Sequence, residues 1–232
     1  MKIFAHRGVS GHFPENTLQA FAAALESGCQ GIELDVFLHC GELVVIHDRQ
    51  VERTTNGHGD LDDFSQQALQ QLDAGNGQTI PTLWQVLELC ANQLEINIEL
   101  KGHNTAEAAV TLLHRAQREL GLRLDSVLLS SFHHPQLQQI KSLDPSLRIG
   151  VLIGHYPSDG VELAMRLNAV SLNCDRGFVD ASLVQLAHQA GLALYVYTVN
   201  TKRELLALQD IGVDGVFCNY PAEACQWLQA PV

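Results

Sequence analysis

The sequence predicts an α/β fold, a (β/α)8 TIM barrel with a small insertion between its second and third strands. Three observations point there. Short β-branched, apolar runs recur eight times along the 232 residues, and a helix-like stretch follows nearly every one. The length suits a single barrel domain, residues 1–232, near the lower end of the usual size. A doubly wound open sheet is the alternative, because local patterns do not report closure. No Gly-x-Gly-x-x-Gly follows the first strand to support it.

The first strand is read at Ile3–His6. Thr17–Ser27 then repeats apolar residues at Leu18, Phe21, Ala22 and Leu25 and stops at Gly28, a natural left-handed C-cap. The second strand is Gly31–Leu38. After it Cys40-Gly41 reads as a tight turn and Leu43–Ile46 as a second extended run. If the chain folds back there, facing residue numbers sum to about 81, which sets residue 47 opposite residue 34. About 55 residues separate this second strand from the third, Glu95–Leu100. They include the turn-rich Thr54–Asp60 and read as a subdomain, about residues 49–80, inserted within the barrel domain.

Thr105–Leu120 is helical and ends at Gly121. Strands follow at Val127–Ser131, Arg148–Ile153, Ala169–Asn173, Ala193–Val199 and Gly215–Cys218. His133-His134 reads as a polar loop entering a helix, and Pro135 and Pro221 sit where a first helical turn tolerates the missing N–H. Asn200 is the expected cap of Thr201–Ile211, which stops at Gly212.

Composition narrows the partners. With 14 basic against 26 acidic side chains and a net charge of −12, the chain lacks the basic face that nucleic acid demands. Its global field also repels anions, so a phosphate site must be made locally positive by a cation or a few placed bases. Six cysteines without a Cys-x-x-Cys pair read as buried thiols in a reducing interior. Lys2-Ile3-Phe4-Ala5 begins a strand at once, leaving no room for a signal peptide, and no apolar run reaches about 18 residues. The expectation is a cytoplasmic protein without stable membrane association; a homo-oligomer is neither required nor excluded.

Catalytic groups of such a barrel come from the C-terminal ends of its strands. His6 and Arg7 end the first strand. Glu33 and Asp35 lie two apart on the second and share a face, while Ile32, Leu34 and Val36 share the other. The spacing returns on the third, where Asn97, Glu99 and Lys101 share a face. Carboxylates in an apolar strand are costly unless neutralised, and a hard divalent cation with oxygen ligands is the economical answer. The hairpin register returns His47 to the neighbourhood of Glu33 and Asp35. Two histidines beside a carboxylate cage suit phosphoryl chemistry, one deprotonating a nucleophile and one protonating a leaving oxygen. No Gly-x-Ser-x-Gly elbow is present and Cys29 lacks a base, which speaks against serine or thiol nucleophiles. These residues reach a metal-assisted hydrolase or lyase, without naming the substrate.

The ordered motifs go further. His6-Arg7-Gly8, Pro14-Glu15-Asn16-Thr17, Glu33-Leu34-Asp35-Val36, His47-Asp48, Arg53-Thr54-Thr55-Asn56-Gly57, Leu72-Asp73-Ala74-Gly75, Ile80-Pro81-Thr82-Leu83, Glu99-Leu100-Lys101, Ser131-Phe132, Thr198-Val199-Asn200 and Asp214-Gly215-Val216 occur in sequence. Together they resemble the glycerophosphodiester phosphodiesterase family over almost the whole chain. The resemblance implies the (β/α)8 barrel with its insertion. It also implies hydrolysis of small-molecule glycerophosphodiesters to sn-glycerol 3-phosphate and an alcohol such as choline, ethanolamine or glycerol. It further implies that Glu33, Asp35 and Glu99 hold Mg2+ or Ca2+, that His6 and His47 form the acid–base pair, and that Arg7 and Lys101 contact phosphate. Asn16, in the first loop, would help hold metal or phosphate, and Tyr197 would form a substrate wall. Tyr197 stands where relatives often carry Trp, and Phe217-Cys218-Asn219 precedes Tyr220-Pro221 in place of the usual Thr-Asp; both bear on head-group preference. The rivals are phospholipase D-like cleavage of intact lipids and a non-catalytic phosphate-binding barrel.

Overall fold

The computed structural model describes residues 1–155 and 159–229. Its strands are β1 (Lys2–His6), β2 (Gly31–His39), β3 (Glu42–Val45), β4 (Glu95–Leu100), β5 (Val127–Ser131), β6 (Arg148–Ile153), β7 (Ser171–Asp175), β8 (Ala193–Tyr197) and β9 (Gly215–Cys218). Eight of them pair in parallel around a ring, β1–β2–β4–β5–β6–β7–β8–β9, and β9 returns to β1 to close the barrel. The exception is β3, antiparallel to β2. The helices are α1 (Leu18–Glu26), α2 (Gln66–Leu69), α3 (Leu83–Cys90), α4 (Thr105–Leu120), α5 (His134–Leu143), α6 (Gly160–Arg166), α7 (Ala181–Gln189), α8 (Lys202–Asp210) and α9 (Pro221–Gln229). Their apolar stripes pack on the outer faces of the strands, where Ile32, Leu34, Val36, Ile96 and Ile98 are fully buried.

The β2–β3 hairpin has the expected register: Val36 faces Val45 and His39 faces Glu42, each pair summing to 81. Cys40 and Gly41 both have left-handed φ, +47° and +84°, the two-residue turn whose twist suits an antiparallel pair. Val36 pairs with Leu100 on one edge and Val45 on the other, so β3 takes over the edge that β1 leaves after Glu33. Between β3 and α3 the chain gathers its own small apolar cluster around Val51, Leu61, Leu69 and Ile80, resting on Phe37 and Val44.

Three expectations shift. The sixth barrel strand is Ser171–Asp175, two residues later than expected, because the Ala169 N–H still closes the end of α6 on the Ala164 carbonyl. The seventh ends at Tyr197, before Val199. The cap of α8 is Thr201, whose Oγ1 accepts the Glu204 N–H, since Asn200 Oδ1 is taken by the Asn219 N–H at 2.8 Å.

Inward-facing residues fall in layers of four from alternate strands, as the staggered registers require. Phe4, Asn97, Gly150 and Tyr195 form one. Above it lie Glu33, Ser130, Asn173 and Phe217, then His6, Glu99, Leu152 and Tyr197. The rings of Phe4, Tyr195 and Phe217 pack mutually at 5.3–6.2 Å between centroids and with Leu128 plug the barrel from below. The carboxylates, histidines and cations that converge above this plug lie toward the C-terminal end, while Lys2, Glu95 and Arg148 pair at the opposite end.

Candidate active site

A cavity of about 230 Å3 opens at that end, lined on one side by His6, Glu33, His47, Glu99 and Lys101 and on the other by Phe132, Leu152 and Tyr197. Larger hollows lie elsewhere, one of about 690 Å3 beside α4 and one of about 540 Å3 beside Arg53, but they gather none of these groups.

Glu33 and Asp35 project inward from β2 because strand residues alternate, and Glu99 does so from the neighbouring β4. Oxygens of all three lie within 4.8 Å of one another. Glu33 and Asp35 are almost completely buried, at 3% and 1% exposure. Burial, then the charge of Asp35, raises the Glu33 carboxyl well above its ordinary range and pushes Glu99 up to about 7. Such a trio is self-repelling, and Asp35 Oδ1 has no hydrogen-bond partner among the described residues. Hard oxygen donors, close enough to share one centre and with a lone pair unspent, fit a divalent cation.

Cations of the chain flank the cage. Arg7 has a left-handed φ of +56°, which turns its N–H onto Glu33 Oε2 at 3.0 Å and its Nε toward Asp35 Oδ2 at 3.2 Å. The next residue must be glycine: Gly8 has φ +77°, and an added Cβ would meet the backbone of Ala20 in α1 at 2.7 Å. Asn16 donates its Nδ2 to Asp35 Oδ2 at 2.9 Å, and Lys101 Nζ lies 3.0 Å from Glu99 and 3.9 Å from Asp35.

Both histidines have a set tautomer. His6 Nδ1 donates to Asn219 Oδ1 at 2.8 Å, leaving Nε2 toward Glu33 at 3.9 Å. His47 Nδ1 donates to Asp48 Oδ1 at 2.5 Å, and its Nε2 accepts from Lys101 Nζ at 3.1 Å. Burial, reinforced by Arg7, lowers the His6 imidazole to about 4; burial also lowers His47. A neutral imidazole with its Nδ1 proton anchored and Nε2 facing a cavity is built to take a proton there and, once charged, to give it back.

Eight of the nine expected site residues thus meet around one point. Tyr197 stands across the cavity from the cage, its hydroxyl donating to the Ile153 carbonyl at 2.8 Å and its ring edge-on to Phe132, which is 45% exposed at the mouth. Sequence reasoning did not single out Asn219, Asp48 and Phe132 as site residues, nor Asn97, whose buried Oδ1 has no hydrogen-bond partner among the described residues. Asn97 and Asp48 carried a signal, the first by sharing the Glu99 face and the second by following His47. Asn219, 213 residues from His6, stood out only as part of a departure from the family pattern read as bearing on head-group preference, whereas it binds the His6 ring.

A sequence profile described as the glycerophosphoryl diester phosphodiesterase family matches residues 6–223. The chain is 37% identical over 229 residues to a glycerophosphodiester phosphodiesterase of Caldanaerobacter subterraneus subsp. tengcongensis, covering 94% of each chain. It is 36% identical to one from Bacillus altitudinis, covering 96% of each. Among solved structures it superposes with a TM-score of 0.91 on an Oleispira antarctica phosphodiesterase in complex with the product sn-glycerol-3-phosphate, at 30% identity and covering 99% of this chain and 97% of that one. A Thermotoga maritima glycerophosphodiester phosphodiesterase matches at TM-score 0.81 and 27% identity, covering 97% of each. Motifs, barrel and site geometry agree, and the chain belongs to the glycerophosphoryl diester phosphodiesterase family.

Proposed function

We propose that this phosphodiesterase hydrolyses small glycerophosphodiesters to sn-glycerol 3-phosphate and an alcohol, using a divalent cation, Mg2+ or Ca2+, held by Glu33, Asp35 and Glu99. The observation that carries the reading is one cavity holding three convergent carboxylates, two histidines of set tautomer and two flanking cations. The product in the Oleispira antarctica structure is the phosphate half of such a diester.

When bound, the cation neutralises phosphate charge and polarises phosphorus toward attack. Arg7 and Lys101 hold the non-bridging phosphate oxygens, and Asn16 keeps Asp35 oriented. One of His6 and His47, neutral, takes the proton from the attacking hydroxyl, and the other, as imidazolium, delivers its Nε2 proton to the leaving alcohol oxygen; where the hydroxyl is the glycerol's own, the cyclic phosphate formed is then opened by water. The plugged barrel floor and the wall of Leu152, Phe132 and Tyr197 limit stray water. The chain acts as one barrel domain with segment 49–80 inserted. Six free thiols support a cytoplasmic setting.

The test is an assay of the purified protein on glycerophosphocholine and glycerophosphoethanolamine, with EDTA and after adding back Mg2+ or Ca2+. Turnover that EDTA abolishes and cation restores is expected. Full activity in EDTA with no tightly held metal removes the cation, and no turnover of any glycerophosphodiester removes the reading.

A further inference from the structure

One motif has no part in that chemistry: Arg53-Thr54-Thr55-Asn56-Gly57, in the inserted segment. Its backbone is anchored. Val51 is fully buried in the segment's own apolar cluster, the Thr55 N–H and Oγ1 bond the Val51 carbonyl at 3.0 and 2.8 Å, and Asn56 exchanges two hydrogen bonds with Asp73. Arg53 is thus held at the rim while its guanidinium reaches back to the barrel. It clasps Glu15 with two nitrogens, at 2.8 and 3.0 Å, and donates Nε to Asp48.

Both partners lead into the site. Asp48 accepts the His47 Nδ1 proton, and His47 Nε2 accepts from Lys101, which meets Glu99 and Asp35. Glu15 binds Arg7 Nη1 at 2.9 Å, and Arg7 meets Asp35 at 3.2 Å. The side chains close a ring: Asp35, Arg7, Glu15, Arg53, Asp48, His47, Lys101 and back to Asp35. Apart from the His47 link to Lys101, each contact pairs a cation or an N–H with a carboxylate. Arg53 joins the arm that runs through Glu15 and Arg7 to the arm that runs through Asp48 and His47.

We propose that Arg53 is a positioning residue that orients His47 through Asp48 and Arg7 through Glu15, so that the inserted segment is a working part of the active site. The proposal rests on the function proposed above. The bland alternative is a surface ion network serving the fold. Arg53 and Asp48 are 47% and 34% exposed, and pairs so open to water add little to stability. What such a ring does supply is direction. A planar guanidinium spanning two carboxylates fixes both at once, and lysine does not reproduce that geometry.

The experiment compares Arg53→Ala, Arg53→Lys, Asp48→Asn and Glu15→Gln. The control is Arg49→Ala, which breaks the neighbouring Arg49 pairs with Asp60 and Asp62. Arg53→Ala is expected to melt within a few degrees of wild type yet lose at least roughly tenfold in kcat and raise KM several-fold. Arg53→Lys recovers only part of this, and added methylguanidinium restores part of the alanine variant's kcat. Asp48→Asn falls mainly in kcat, Glu15→Gln rises mainly in KM, and Arg49→Ala stays at wild-type rates. Nitrogen NMR of the imidazoles gives a readout free of substrate: His47 is held as the Nδ1–H tautomer in wild type and becomes mixed in Arg53→Ala. Wild-type kinetics in Arg53→Ala, or a loss that follows melting and is not rescued, overturns the proposal. If the wild type turns over no diester, the functional reading fails by itself, and an unchanged His47 tautomer in Arg53→Ala then overturns the positioning role too.

Discussion

His6 Nδ1 lies 2.8 Å from Asn219 Oδ1, joining the end of the first barrel strand to the end of the last. An amide oxygen accepts only, so it commits Nδ1 to carry the proton and leaves Nε2 open to the cavity. Asn219→Ala removes that commitment without touching the carboxylate cage. Its kcat should fall about 10- to 100-fold while the barrel stays folded, and the check is steady-state kinetics beside a circular dichroism melt.

His6→Ala and His47→Ala should each lose roughly 100-fold or more in kcat, the usual scale of a lost proton carrier. Rates on substrates with a more acidic leaving alcohol sort the two, because the variant lacking the acid recovers on them and the variant lacking the base does not. Unchanged rates in either variant would strike that histidine from the mechanism.

The cage trades stability for function. Glu99 is pushed up to about 7 by burial and then by Asp35, so removing its charge relieves repulsion in the cation-free protein. Glu99→Gln in EDTA should therefore melt no more than about 2 °C below wild type. Wild type should gain about 2–3 kcal/mol at a cation concentration a hundredfold above its dissociation constant, and the variant nearly none. Calorimetry with and without Mg2+ or Ca2+ reads both.

Gly8→Ala tests the turn that aims Arg7. The added Cβ meets Ala20 at 2.7 Å in a backbone conformation with φ +77°. The cost should be about 2–4 kcal/mol, seen as a drop of roughly 5–15 °C in Tm, with KM for the diester raised in what remains folded.

Acid stability gains a part from Asp144. The N–H and hydroxyl of Ser146 and the His114 ring bind its carboxylate and hold it at about 2, below the 3.8 of a free aspartate. A folded-state value below the unfolded one stabilises above about pH 4, and that share is lost as pH falls toward 2. After allowance for solvent screening it is about 1 kcal/mol. Asp144→Ala should thus be less stable than wild type at pH 6 in denaturant titration, and the gap should close as the titration is repeated toward pH 2.

What the sequence made legible was local. The hairpin register followed from one turn, Cys40-Gly41, and carried His47 to the cage; alternation on β2 and β4 put three carboxylates on one face. What stayed hidden depends on closure. Asn219 meets His6 only because β9 pairs with β1, and the same closure takes Asn200 away from the helix it was expected to cap. The two-residue shift of β7 has another cause: Val170 is β-branched and apolar like a strand residue, yet it bridges the end of α6 to the strand. Arg53 stood in a visible motif, but no pattern along the chain could tell that its two partners lie in separate loops.

The aromatic plug of Phe4, Tyr195 and Phe217 closes the floor of the cavity, so that among the described residues its doorway lies at the C-terminal end of the barrel. Substrate and both products share it, so departure has an order. With the phosphate held by Arg7 and Lys101 as proposed, the alcohol should clear first and the phosphate-bearing fragment last. On the proposed function, the phosphate product should inhibit the enzyme more strongly than the alcohol as it accumulates.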